Sequence, residues 1–316
     1  MKQDPTIPVY LITGFLDSGK SNFLKYTLQE DYFNDRSKTL LLLCEEGEEE
    51  YAADLLKKTH TTLIPIENED ELNVEHLTEL EKKYKPDRVL IEYNGMWSVA
   101  ALLQKKLPEF WVYYQIITIL DGSCFGLYLQ NIRTTAMEML TNTDMVIFNR
   151  CGKDSDLVAY QRAVRSANTK CDLIFEDEEG NELECPEPDL PYSIESDEIE
   201  ITDENFATFY IDLSEHPERY INKKISFLMQ VTRNATFPDN MFAAGRRAMT
   251  CCINDIRMLA YIFVWDKAKS LKNRSWVYLK ATLKWEFNEG YKEEGPVFYV
   301  DELKLANRPA EEVVTF

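Results

Sequence analysis

Residues 14–21 read Gly-Phe-Leu-Asp-Ser-Gly-Lys-Ser, a G-x-x-x-x-G-K-S string placed directly after the apolar run from Val9 to Thr13. This spacing suits the phosphates of a nucleotide. Gly14 and Gly19 let the loop wrap backbone N–H groups around a β-phosphate, and Lys20 reaches the β- and γ-phosphates. The Ser21 hydroxyl is placed to ligate Mg²⁺. Asp17, Ser18 and Asn22 complete the set of nucleotide-binding positions in and just beyond the loop. From Asn22 to Gln29 the spacing of Phe23, Leu24 and Leu28 is helical, so the phosphates would lie at a helix N-terminus.

Such a loop needs a sheet behind it, and the chain supplies one. Short apolar runs recur at 38–44, 61–66, 87–92, 114–121, 144–149 and 171–175, with helical spacing at 72–84 and 125–141 between them. This alternation predicts an α/β P-loop NTPase domain, a mostly parallel sheet with helices on both faces. Ligands bind such sheets at the carboxyl ends of the strands. The polar residues fall there: the loop itself, Cys44 to Glu48, Glu92 to Gly95, Asp121 and Asn149. Glu92 is expected to act on Mg²⁺ through water, and the Gly95 backbone N–H to meet the γ-phosphate. Lys20, Glu92 and Gly95 form the expected catalytic set.

Four segments together carry a resemblance: Gly14 to Ser21, the Glu-x-Gly-Glu-like stretch after Cys44, Glu92-Tyr-Asn-Gly95, and Asn149-Arg150. They resemble the CobW-type (SIMIBI-class) P-loop GTPases, a metallochaperone branch that also holds the nickel-insertion GTPases for urease and hydrogenase. The resemblance covers about residues 7–175. It implies GTP and GDP binding, hydrolysis with Mg²⁺, a transition metal such as Zn or Co, and a metalloprotein client. It also implies that Asn149 and Arg150 approach the base.

The sequence departs from that family's pattern in four ways. Asp17 stands where the family has Gly, and Asn22 where it has Thr. The guanine-reading N-K-x-D becomes Asn149-Arg150-Cys151-Gly152, leaving Asp154 as the neighbouring carboxylate. The C-x-C-C metal motif is missing from its usual place, where residues 66–72 read Ile-Glu-Asn-Glu-Asp-Glu-Leu. Metal-ligating candidates are then Ser21 and Glu46 for Mg²⁺, with Cys44 as a single thiolate. His60, His76 and His216 are scattered and lack a paired ligand spacing.

The remaining composition bounds the reading. The 316 residues carry a formal charge of −20, which argues against recognition of a nucleic-acid backbone. Seven cysteines, an odd number, with no secretory leader in view suggest thiols in a cytoplasmic protein. Residues 176–205 hold 14 Asp or Glu and no Lys or Arg, and are expected to form an extended acidic linker between domains 1–175 and 206–316. Beyond it, one short helix and five β-rich runs predict a small OB-like barrel. Its Arg246-Arg-Ala-Met-Thr-Cys251-Cys252-Ile-Asn-Asp255 segment resembles an element of a family of membrane-permease partner proteins. That makes Cys251 and Cys252 candidates for metal or redox chemistry, and a permease complex a candidate partner through which alone the chain would meet a membrane.

Two functional readings follow, with a third as their baseline. The first is a GTP-hydrolysing switch in metal trafficking or metallocofactor insertion. The second is a nucleotide-gated regulatory module for a permease or metal-uptake complex, with little hydrolysis. The third is a P-loop scaffold that binds no nucleotide.

Overall fold

The structure is a computed structural model, and it describes residues 6–45, 47, 50–235, 237–250 and 255–316. It divides into two compact units that meet in sequence at Pro186 and Glu187.

In the first unit the strands are β1 (Ile7–Thr13), β2 (Thr39–Leu43), β3 (Thr61–Pro65), β4 (Arg88–Glu92), β5 (Trp111–Asp121), β6 (Met145–Asn149) and β7 (Asp172–Phe175). They form one sheet in the order β3-β2-β4-β1-β5-β6-β7, and every pairing in it is parallel. The helices are α1 (Lys20–Gln29), α2 (Ala53–Lys58), α3 (Val74–Tyr84), α4 (Val99–Gln104), α5 (Phe125–Asn131), α6 (Arg133–Thr141) and α7 (Leu157–Ala167). The expected P-loop NTPase architecture is therefore present. The helical stretch 125–141 is two helices, broken near Ile132, whose φ and ψ of −135° and 41° leave the helical region.

Alternation along the strands sorts the core into two layers. Val9 and Leu11 face one side with Leu77 and Leu80 of α3 and Val99 and Leu102 of α4. Ile12, on the other side, packs with Leu24 and Leu28 of α1. Beside α1 this second face opens into an apolar cavity of about 710 Å³, lined among others by Tyr10, Phe23, Tyr114, Ile147 and Ile174.

The second unit begins within the acidic stretch, which is not uniformly a linker. Glu198-Ile-Glu-Ile201 forms a strand, β8 (Glu198–Ile201), paired in parallel with β9 (Lys224–Thr232). Its alternating pattern explains this: Ile199 and Ile201 are buried in the barrel core while the glutamates face out. Between them lies α8 (Phe206–Glu215), whose Phe206, Phe209 and Leu213 join the same core. The remaining strands are β10 (Met241–Met249), β11 (Arg257–Val264), β12 (Trp276–Asn288), β13 (Glu293–Ala306) and β14 (Val313–Thr315). Strands β9, β10, β11, β13 and β12 pair in that cyclic order, and β12 returns to β9, so these five close into a barrel. The β11–β13 pairing is parallel and the others in the ring are antiparallel. Stacked and edge-on phenylalanines fill it: Phe263 lies 5.1 Å from Phe298 and 5.8 Å from Phe227, ring centre to ring centre.

Among the described residues no helix is long and apolar enough to cross a membrane. Ile201→Ala should lower the stability of the barrel unit by about 2 kcal/mol, the usual order for a truncated core aliphatic. Urea unfolding followed by circular dichroism measures it. An unchanged midpoint would mean that the 198–201 segment carries no core load.

Candidate nucleotide site at the head of the first helix

The loop between β1 and α1 is held by its own backbone geometry. Gly19 caps α1 with φ 101°, a left-handed value that side chains rarely adopt. Asp17, though not a glycine, also sits in that region, at φ 59°. No acidic residue falls in the first turn of α1, and its leading N–H groups have no partner within the helix. The result is an anion-favouring helix end beneath a cavity of about 190 Å³. Leu16, Asp17, Gly19, Lys20, Ser21, Asn22, Glu45, Gly47, Glu92 and Arg150 line it.

Lys20 is 4% exposed, and three oxygens meet its ammonium group. Nζ donates to the backbone oxygens of Gly14 at 2.9 Å and Phe15 at 2.8 Å, and to Glu45 Oε2 at 2.8 Å. A lysine ammonium has three N–H groups, so all are engaged. Two of the partners are the loop itself. The third, Glu45, lies just after β2, and a phosphate arriving at Lys20 would compete with it.

Glu92 ends β4 and is 2% exposed. Each of its carboxylate oxygens accepts one hydrogen bond: Oε1 from Ser21 Oγ at 2.6 Å, Oε2 from the Tyr51 hydroxyl at 2.5 Å. Burial pushes its pKa up, and the bonds from Ser21 and Tyr51 oppose that shift only in part. Burial beside Glu92 likewise pushes the Tyr51 phenol up, so it stays protonated and donates. A hydroxyl and a carboxylate facing one polar cavity make a hard oxygen donor set, which fits Mg²⁺.

Gly95 follows two residues beyond Tyr93. A Cβ on Gly95 would lie 2.3 Å from the Gly14 backbone oxygen, so only glycine lets the two loops touch. This contact puts the Gly95 backbone against the phosphate loop.

On the other flank, Asn149 and Arg150 at the end of β6 reach back to the loop. Asn149 Nδ2 donates to the Ser18 backbone oxygen at 2.8 Å. Arg150, at φ 51°, donates to the Asp17 backbone oxygen at 2.9 Å and pairs with Asp121 at 2.7 Å. Burial works against a charged Asp121, yet hydrogen bonds from Ser123 and Arg150 together hold its carboxyl below the usual range. Ser18 Oγ and Asn149 Oδ1 are buried with no partner among the described residues, so two acceptors beside the loop remain available.

The structure thus gathers Gly14, Asp17, Ser18, Gly19, Lys20, Ser21, Asn22, Glu92, Gly95, Asn149 and Arg150 around one loop. Asp154 is exposed and is not among the residues lining the cavity. Cys44 points away, into the core with Leu42 and Tyr93, where burial pushes its thiol well up and disfavours the thiolate that a metal needs. Glu46, Cys251 and Cys252 lie outside the described residues. Among the described residues no group of three His, Cys, Asp or Glu is placed to hold a metal ion. Tyr51 and the Lys20–Glu45 pair were not legible as site features: a tyrosine after an acidic run has no fixed spacing to the P-loop.

A family model described as the CobW/HypB/UreG nucleotide-binding domain matches residues 8–176. A second, the DUF1980 C-terminal domain, matches residues 184–314. No curated protein matches the chain. Similar solved structures include hydrogenase maturation factor HypB from Archaeoglobus fulgidus, at 14% identity and TM-score 0.41, covering 56% of this chain and 84% of that one. Zn(II)-bound YjiA GTPase from E. coli is similar at 16% identity and TM-score 0.40, covering 83% and 89% respectively. HypB from Helicobacter pylori in complex with nickel is similar at 14% identity and TM-score 0.36, covering 55% and 80%.

Glu45→Gln removes one negative charge from beside Lys20 and should tighten nucleotide binding. A charge of this kind near a phosphate is worth about 1 kcal/mol, or about fivefold in Kd. Calorimetric titration with GDP reads the change, and weaker binding would mean that Glu45 supports the ligand instead of competing with it.

Proposed function

Because this chain belongs to the CobW/HypB/UreG nucleotide-binding family, we propose that it is a Mg²⁺-dependent GTPase working in metal trafficking or metallocofactor insertion. The observation that carries this reading is the pairing of Ser21 with Glu92 at 2.6 Å beside the buried Lys20. Phosphate lysine, metal hydroxyl and metal acid meet at one helix end.

In this reading the α1 amides and Lys20 would hold the phosphates, Ser21 would hold Mg²⁺, and Glu92 would act on it through water. The ion, when bound, neutralises charge developing on the phosphate oxygens. The Gly95 backbone, pinned against Gly14, senses the γ-phosphate. Hydrolysis adds water across the terminal phosphoanhydride bond and releases inorganic phosphate and a proton to solvent. Positioning and charge neutralisation supply the catalysis, and slow intrinsic turnover is expected, as for P-loop GTPases acting without an arginine supplied by a partner.

Guanine is the favoured base on family grounds, while Gly152 stands where a base-reading carboxylate would be. Cargo would be a transition metal such as Zn or Co, and the client a metalloprotein. A second reading, a nucleotide-gated regulator of a permease or metal-uptake complex with little hydrolysis, draws support from Asp17. Asp17 is among the residues lining the phosphate cavity, and a carboxylate near phosphates is repulsive. Both readings place the protein in the cytoplasm.

Titration with GTP, GDP and ATP, followed by phosphate release, tests the proposal. Wild-type protein should bind guanine nucleotides with Mg²⁺ and hydrolyse GTP slowly, and Lys20→Ala should lose about 100-fold in turnover. Equal turnover in Lys20→Ala would sink the reading, and tight binding without turnover would favour the regulator. A separate substitution addresses the base. A Cβ on Gly152 meets nothing within 4 Å, so Gly152→Asp is sterically free. A charged acceptor facing the guanine N–H groups should raise the preference for GDP over ADP by about tenfold. An unchanged ratio would place the base elsewhere.

A further inference from the structure

We propose that Tyr51 is a positioning residue for the metal-binding pair, a role that rests on the Mg²⁺ site proposed above. Its hydroxyl holds one oxygen of Glu92 so that the other faces Ser21.

The geometry is triangulated. Glu92 has only two acceptor oxygens, and Ser21 and Tyr51 take one each, at 2.6 Å and 2.5 Å. A glutamate side chain has three torsions, so a carboxylate held at one oxygen still swings, whereas one held at both is oriented. The Tyr51 ring is itself fixed. It packs against the core layer that includes Leu24 and Leu28 of α1. Lys25 Nζ sits 5.7 Å from its ring centre. Lys25 lies one helical turn beyond Ser21, so the helix that carries the metal hydroxyl also braces the tyrosine.

Tyr51 also closes the acidic segment that begins at Glu45. Five residues separate the two in sequence. One end of this short segment therefore contacts the phosphate lysine, and the other contacts the metal acid.

Tyr51→Phe keeps the ring and its packing and removes only the hydroxyl. GDP affinity is measured by calorimetry in Mg²⁺ and in EDTA, with the ligand-free melting temperature as a check on folding. We expect Kd in Mg²⁺ to rise about tenfold, the order of one lost hydrogen bond to a charged group. Kd in EDTA should match wild type, the ligand-free melting temperature should fall by only the few degrees expected of one lost hydrogen bond, and the Mg²⁺ concentration giving half-maximal tightening should rise. An unchanged Mg²⁺ response in the variant overturns the role of Tyr51 alone. An equal loss of affinity in EDTA also overturns it, because the hydroxyl would then act on the fold. Wild-type protein whose GDP binding ignores Mg²⁺ overturns the metal site and the Tyr51 role together.

Discussion

Parallel pairing of β1 with β4 sets the geometry on which the site depends. With Ile12 opposite Glu92 in register, the loop that leads into α1 and the Glu92 carboxylate leave adjacent strands side by side. Residues 71 positions apart in sequence then meet at 2.6 Å through Ser21 and Glu92. A parallel sheet sends every strand's carboxyl end to the same edge, and helix α1 begins where the loop after β1 ends. Slipping β4 by one residue would turn Glu92 to the opposite face and break the pair.

That arrangement buries a cation and a carboxylate close together. Burying either alone would be costly, since charges leave water at a penalty of several kcal/mol. The protein offsets the cost with full coordination. Lys20 donates to three oxygens, and both oxygens of Glu92 accept. The loop strain is met in the same way. Asp17 sits in a left-handed conformation, and Arg150, itself left-handed, holds its carbonyl while leaning on Asp121. Asp17 therefore costs backbone strain at a place where a glycine would not, and the end of β6 supplies the compensating contact.

The second unit applies the same logic to a barrel. Its ring of five strands leaves β8 and β14 at the margins. Arg246 is buried within it: its terminal nitrogens meet Asp203 in an ion pair and the Glu311 backbone oxygen at 3.0 Å, its guanidinium faces Trp276, and its Nε has no partner among the described residues. Acidic residues from the stretch before α8 are thus structural here: Asp203 neutralises a buried guanidinium, and Glu198 pairs with Lys280 at 2.7 Å on the outside. The negative charge of this region is partly consumed by the barrel that follows it.

Sequence alone determined the β1–loop–α1 unit and the alternation that makes the sheet parallel. It also marked Glu92 and Gly95 at a strand end. Each of these is a local pattern, written in spacing of two, of 3.6, or of fixed glycines. It also reached five of the barrel strands, whose alternation is long enough to read. It did not reach β8 or β14, which are four and three residues long and gain their stability from partners distant in sequence. Only the tertiary structure decided that Glu45 occupies Lys20, that Tyr51 holds Glu92, that Cys44 faces the core and that Asp154 stays in solvent. These outcomes depend on strand register and on which face of each element turns inward. Both are settled when non-local surfaces pack, and neither leaves a mark on the spacing of residues along the chain.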